Sequence, residues 1–554
     1  MPLSLPKAVF SLLNFANYMI KIFYKSLYNL FLRKLSLTTL KLKIDKFIYN
    51  QKNMSRYFLL LMFAFIAMSC SKKVEVKGNF AGGSPLERIE FIEASGVATL
   101  PLLNLGVDSK GSFSGSFEAP KNGMYIMSYA GKTAMIYLKG GQELNISGQA
   151  ANFPNQFTIT GDAKNNNDFL LEVTKFIQGY AGKINVGELV MKNEADFLKA
   201  AEKIRTDIGN SIDAAAKKTS ADNEVVEYKK DELNASVLGL MSQYEVNHPQ
   251  ATQNPAYKAS KNFKDAEANL NKDNDRLLKN QPIYRNYLLG KLSPEFQAFA
   301  SKQPKTGSEI SSEVFAKFLD TKKDLSQLTK DYLLAFVLSS GDIAPGMTDE
   351  NTAKINKIIN ENIKDAAIKK DMQRIQFVIA GPKAGEAAPA AKLIKQDGSA
   401  FKLTDVKGKP NLVMFYASWN PYISEGTVPV LKEVVNFYKS KMDFTFVNLD
   451  DTKDQFTKTS NAMMKGIPGN NVYGEDGLNS QIAKDLGIYG FKLPSFIVLD
   501  KDGKIASRFF YNLGDPELVT VLDKLTGLTA PTVQPEATLQ NDLLAPQPEV
   551  APTK

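Results

Sequence analysis

From residue 74 to about 160 apolar and polar residues alternate in short runs: VEVKGNF, RIEFIEA, GSFSGSFEA, GMYIMSYA, TAMIYLKGG, ELNISGQ and FTITGD. A period of two sends successive side chains to opposite faces of a strand. Breaks of Gly, Asn, Pro and Ser at roughly ten-residue intervals supply the turns, so this stretch predicts an antiparallel β-sandwich or half-barrel. Beyond it the period lengthens. Segments such as DFLLEVTKFIQGYAG, EADFLKAAEKIRTDIGNSIDAAAKK, EVVEYKKDELNASVLGLMSQYEV, PIYRNYLLGKL, DYLLAFVLSSG and AAIKKDMQRIQFVI place apolar residues three and four apart, which predicts amphipathic helices packed on one another or on flanking domains. No fixed-length repeat, Walker loop or helical His-Glu motif interrupts them.

GPKAGEAAPAAK, residues 381–392, is rich in Gly, Pro and Ala and predicts a linker. After it the pattern changes again. AAKLIKQDGSAFKL reads as a hairpin turning at Asp397-Gly398, PNLVMFYAS as a fully buried strand, VPVLKEVVNFYKSK as a helix and DFTFVNLD as a second buried strand. DGLNSQIAKDLG reads as a helix, PSFIVLDKDGKIASRFF as a hairpin turning at Asp502-Gly503, and PELVTVLDKL as a last helix. Strand-helix-strand followed by helix-hairpin-helix predicts a mixed sheet with helices on both faces. The tail, TAPTVQPEATLQNDLLAPQPEVAPTK, is Pro-rich with little apolar pattern and predicts an extended or disordered spacer.

The expected chain is thus α+β and multidomain: a β-rich domain over residues 70–162, a helical region over 163–380, the linker 381–392, an α/β domain over 385–528 and the tail 529–554. Composition adds little to this, since 554 residues with 44% apolar and 23% charged content are ordinary for globular domains. Charge changes the picture only by its position. Residues 1–53 hold nine Lys or Arg against one acid, Asp45, so nearly all of the net +9 lies there and the near-neutral remainder gives no footing for nucleic acid.

One cysteine, Cys70, and one histidine, His248, limit the chemistry further. No intramolecular disulfide and no Cys/His zinc site can be assembled, and no metal ligand or cofactor is assigned. His248 stands before Pro249 at the end of a helical run, where a solvated helix-end residue is expected rather than a catalytic one.

Residues 54–73 read MSRYFLLLMFAFIAMSCSKK: Arg56 as a short basic start, an apolar run over 57–68, then Ala67, Met68 and Ser69 before Cys70. The run has signal-peptide length and is short for a bilayer span. It resembles a bacterial lipoprotein signal whose lipobox ends at Cys70, with Ala67 where that family prefers Leu. The resemblance implies cleavage after residue 69, lipidation of Cys70 and a membrane tether; Ser71 after it resembles lipoproteins sent to the outer membrane, and the lack of an acidic cluster there favours the periplasmic face. Residues 1–53 ahead of such a signal are then expected to be an over-extended N-terminus, with translation starting at Met54.

The β-rich region, by its length, order and G-x-F opening, resembles the domain of unknown function that precedes a thioredoxin-like domain in many Bacteroidetes lipoproteins. GEAAPAAKLIKQDGSAFKLTDVKGKPNLVMFYASW and LGIYGFKLPSFIVLDKDGKI together resemble the TlpA-type thioredoxin-like thiol-disulfide oxidoreductases, within reach of the AhpC/TSA superfamily. That resemblance implies a thioredoxin-like fold and places Pro494 as its cis-proline, facing the turn after Trp419.

The family's chemistry needs two thiols in a Trp-Cys-Pro-Pro-Cys turn at a helix N-terminus. Here the turn reads Trp419, Asn420, Pro421, Tyr422, Ile423. Asn420 stands for the nucleophile and Ile423 for the resolving cysteine, or Ser424 if one residue is inserted, as Pro429 suggests by lying one position late. Neither register supplies sulfur, so no catalytic residue is assigned and thiol-disulfide exchange by the chain alone is not expected. Asn420 instead suits an N-cap and Pro421 the first helical position. The expected function is a redox-inactive envelope lipoprotein acting as a binding or assembly module, with a protein or peptide partner at the Trp419 turn as the open question and family oxidoreductase activity as the alternative.

Overall fold

A computed structural model describes residues 73–97, 99–272, 274–304, 310–344 and 347–530. The lipobox with Cys70, residues 1–53 and the tail from 531 lie outside the described residues.

Eight strands, β1 (Lys73–Ala81), β2 (Arg88–Glu93), β3 (Pro101–Gly106), β4 (Ser112–Glu118), β5 (Gly123–Tyr129), β6 (Lys132–Leu138), β7 (Glu143–Gln149) and β8 (Phe157–Gly161), form two sheets ordered β4-β1-β7-β8 and β3-β2-β5-β6. Alternation does what it should: Val74, Val76, Ile89, Phe91, Tyr125, Met127, Leu144 and Ile146 turn inward to one core. The sandwich departs from the antiparallel expectation at one place. β1 pairs with β7 in parallel, Glu75 opposite Glu143.

At β5 and β6 the outer face of the second sheet is apolar too, and Met124 and Tyr137 leave the sandwich core to join helices α1 (Lys164–Ala181), α2 (Val186–Met191), α3 (Glu194–Thr219), α4 (Asn223–Ala251) and α5 (Lys261–Leu270). Asn167 on α1 covers the free edge of β6: its Oδ1 accepts from the Tyr137 N–H at 2.9 Å and its Nδ2 donates to the Tyr137 carbonyl at 3.0 Å. The amide takes up the backbone groups of Tyr137 that a strand of another chain would otherwise use. Helices α6 (Asn274–Asn280), α7 (Pro282–Ala300), α8 (Ser311–Thr321), α9 (Gln327–Val337), α10 (Asp349–Glu361) and α11 (Ala366–Ala380) follow, α8 to α11 closing around Phe315, Leu333, Ile355 and Met372. His248 is not solvated as its sequence position suggested. It lies buried within α4, where Pro249 falls in the last turn of the helix, stacked on Tyr244 at 4.5 Å, with Nδ1 held to the Val190 carbonyl at 2.6 Å. A carbonyl only accepts, so Nδ1 carries the hydrogen.

The C-terminal sheet is ordered β10 (Ala400–Phe401), β9 (Leu393–Lys395), β13 (Asn470–Tyr473), β12 (Asp443–Asn448), β11 (Asn411–Tyr416), β14 (Ser495–Leu499). β11, β12 and β13 are parallel, and β14 and β9 run against them. β11 is buried on both faces: Leu412, Met414 and Tyr416 meet α12 (Val428–Tyr438) and α15 (Pro516–Thr526), whereas Val413 and Phe415 meet α14 (Gln481–Leu486). The expected linker is stitched to this domain. Gly385 N–H donates to the Ile505 carbonyl at 2.7 Å, Ala388 N–H to that of Gly503 at 3.2 Å, and Ala388 is buried.

Helix α13 (Lys453–Met463) and strand β13 were not foreseen from the sequence. A capping box announces α13: Thr452 Oγ1 accepts from the Gln455 N–H while Gln455 Oε1 accepts from the Thr452 N–H.

Candidate functional site

β11 ends at Tyr416, and the chain must turn at the C-terminal edge of the parallel strands, where α/β sheets open their crevices. Asp450, just past β12, fixes that turn. Its Oδ1 accepts from Ser418 N–H at 2.6 Å and Ser418 Oγ at 2.9 Å, and its Oδ2 from Asn448 Nδ2 and Thr459 Oγ1, both at 2.8 Å. Four donors on a fully buried carboxylate make it a rigid anchor. Sequence reasoning passed over Asp450; the Asp pair closing NLDD at the end of an apolar strand was the available hint.

Past the anchor the Asn420 N–H donates to the Ala417 carbonyl at 3.1 Å, and the Asn420 side chain is buried. Oδ1 accepts from the Tyr422 N–H at 2.9 Å, an Asx turn, and Nδ2 donates to the Leu493 carbonyl at 2.7 Å. The Leu493-Pro494 peptide is cis. The backbone acceptor beside Pro494 is filled by the Asn420 side chain.

Asn420 does not cap a regular α-helix, contrary to expectation. Residues Ile423–Thr427 form a π turn, with the Thr427 N–H reaching back five residues to the Tyr422 carbonyl at 3.1 Å, and α12 starts only at Val428 with Pro429 in its first turn. A π turn holds one residue more than an α turn, which is how a chain absorbs a single insertion without shifting the helix that follows. Ile423 is fully buried with Leu431 and Val435, while Pro421 and Tyr422 are exposed.

Trp419, the single tryptophan of the chain, is half-buried against the sheet's apolar core. The guanidinium of Arg88, from β2 of the sandwich, lies over its ring at 4.5 Å. Gly490 lies beside it, where a Cβ would make an ordinary van der Waals contact at 3.5 Å with Trp419 Cη2. Trp419 Nε1 and Ser495 Oγ are buried without a protein hydrogen-bond partner, so polar capacity around the turn is unused. Burial and the nearby Asp450 carboxylate push the Tyr416 hydroxyl far above its ordinary range.

Next to Leu493 sits a buried ammonium. Lys492 Nζ donates to the carbonyls of Val378 and Gly487, 3.3 Å away for the latter, and lies 5.1 Å from the Phe509 ring. Burial pushes it down to about 8 from 10.5.

The redoxin family matches residues 383–522. The C-terminal domain is a thioredoxin-like redoxin domain. The chain is 27% identical over 150 residues to the thiol-disulfide oxidoreductase ResA of Bacillus anthracis and to that of Bacillus thuringiensis (strain Al Hakam), spanning 26% of this chain and 78% of each relative. Among solved structures, the C-terminal domain of a protein from Bacteroides thetaiotaomicron assigned as a thiol-disulfide oxidoreductase is 30% identical, with 26% of this chain and 97% of that one covered and a TM-score of 0.23. The redoxin domain carries Trp419, Asn420, Pro421, Tyr422, Ile423, Ser424 and Pro494 together, and it carries no cysteine.

Proposed function

We propose that this protein is a cell-envelope lipoprotein, held to the membrane by lipid on Cys70, whose redoxin domain performs no thiol chemistry of its own and serves as a binding or assembly module. The observation that supports this most is the double hydrogen bonding of Asn420, which gives the nucleophile's position to a buried amide engaged at both ends. An amide cannot attack a disulfide, and the sequence offers no second thiol to resolve one. The names of the ResA relatives favour a second reading, thiol-disulfide exchange completed by a cysteine from another protein.

Insulin reduction by the full chain with dithiothreitol, run with and without a cell-envelope extract that can supply a partner cysteine, separates the two. Turnover at the reagent's background rate is expected, and turnover above it that depends on the redoxin domain would overturn the proposal. The tether has its own test: Cys70→Ala should move the protein from the membrane to the soluble fraction, and an unchanged membrane fraction would remove Cys70 as the anchor.

A further inference from the structure

On β2 the side chains of Ile89 and Phe91 enter the sandwich core, and on β3 those of Leu103 and Leu105 do. Period two therefore sends Arg88 and Glu90, and their cross-strand neighbours Gly106 and Asn104, to the opposite face. That polar face meets the redoxin domain. Glu90 Oε1 accepts from Asn104 Nδ2 at 2.5 Å, and Asn104 Oδ1 accepts from Arg88 Nε at 2.6 Å, so the arginine is aimed before it reaches its target. Its two remaining nitrogens grip Asp451, at 2.5 and 2.9 Å, while its plane covers Trp419. The Gly106 N–H adds a third bond to Asp451 at 3.3 Å. A Cβ at Gly106 would stand 2.1 Å from Asp451 Oδ2, so this approach requires glycine.

The edge of β3 is closed in the same way as that of β6. Asn479 of the redoxin domain donates Nδ2 to the Asn104 carbonyl at 2.8 Å and accepts the Asn104 N–H on Oδ1 at 3.4 Å. An edge capture by Asn479, a bidentate charged pair with Asp451 whose side chains are 12% and 22% exposed, and a cation over the Trp419 indole hold the sandwich to the redoxin domain beside the turn.

We infer that the β-sandwich is a built-in cover for the indole of Trp419, with Arg88 as its latch, and that opening this contact is what would bare that ring beside the already exposed Pro421 and Tyr422. The cover stands whether or not the turn is redox-inactive, and its test reads no redox chemistry. Trp419 reports it directly, as the single indole of the chain. In the full-length protein Arg88→Ala should shift the fluorescence emission to the red and raise acrylamide quenching at least twofold, with far-UV circular dichroism unchanged. Gly106→Ala, which pushes Asp451 away from the other side, should give the same shift and leaves the inference testable if Arg88→Ala does not fold. Emission and quenching identical to the parent protein in a folded variant would overturn it. So would a wild-type indole that acrylamide already quenches as freely as N-acetyltryptophanamide.

Discussion

Asn420 joins two segments 73 residues apart, and its loss can be priced from the groups it satisfies. Asn420→Ala leaves the Leu493 carbonyl and the Tyr422 N–H without their partner, a cost of about 1–3 kcal/mol for a buried polar group. Urea denaturation followed by Trp419 fluorescence should show the unfolding free energy fall by that amount, as a lower midpoint with an unchanged slope; an unchanged midpoint would mean that the amide is not a structural tie. Lys492 gives a pH signature. Between about 8, its folded value, and its ordinary 10.5, the unfolded chain holds a proton that the folded chain has released. Stability therefore rises with pH through that window, by up to about 1.4 kcal/mol per unit for one proton. Above 10, buried tyrosines such as Tyr416 and Tyr438, held above their ordinary 10.0, oppose the rise because they keep protons that the unfolded chain loses. Denaturation curves from pH 8 to 10 should show the gain in wild type and a flatter profile in Lys492→Met. Equal slopes in the two would show that Lys492 titrates normally.

Gly477 opens the one-turn 3-10 helix Gly477–Asn479 that presents Asn479 to the sandwich. Its φ is +57°, and a Cβ would lie 2.8 Å from the carbonyl oxygens of Leu449 and Asp450, so Gly477→Ala is expected to cost about 1–3 kcal/mol. A thermal melt checks it, and a melting temperature within one degree of wild type would show that the turn can relax. Elements of this kind mark the boundary of what sequence reveals. Buried β11 and β12 and the amphipathic α12 and α15 announce themselves by period and length. Helix α13 hides behind polar residues, KDQFTKTSNAM, because its inner face holds Phe456, Thr459 and Ser460 rather than an aliphatic stripe. The resemblance singled out the turn's residues and Pro429, one position late, hinted at an inserted residue, but that the insertion takes the form of a π turn could not be read from period. Arg88, Asn104 and Asn479 were invisible, because contacts across 363 and 375 residues depend on how domains meet.

In the whole molecule the cover and the turn bear on each other. Asn420→Cys combined with Ile423→Cys or Ser424→Cys should create a disulfide-forming pair in one of the two registers if the redoxin backbone is intact, read by mass and by insulin reduction. Two inert double variants would count against the alignment of the turn. A pair that forms yet reduces insulin faster once Arg88→Ala is added would show the cover acting on a protein-sized substrate. The parallel pairing of β1 with β7 has a different consequence, one of time. A chain made from its N-terminus presents Lys73–Ala81 first, and the antiparallel neighbour β4 follows within a few tens of residues, but the opposite edge must wait for Glu143–Gln149. Such a long-range pairing is slow to close. Until then the β1 edge is open to strands of other chains, and whatever escorts the nascent protein has that interval to shield.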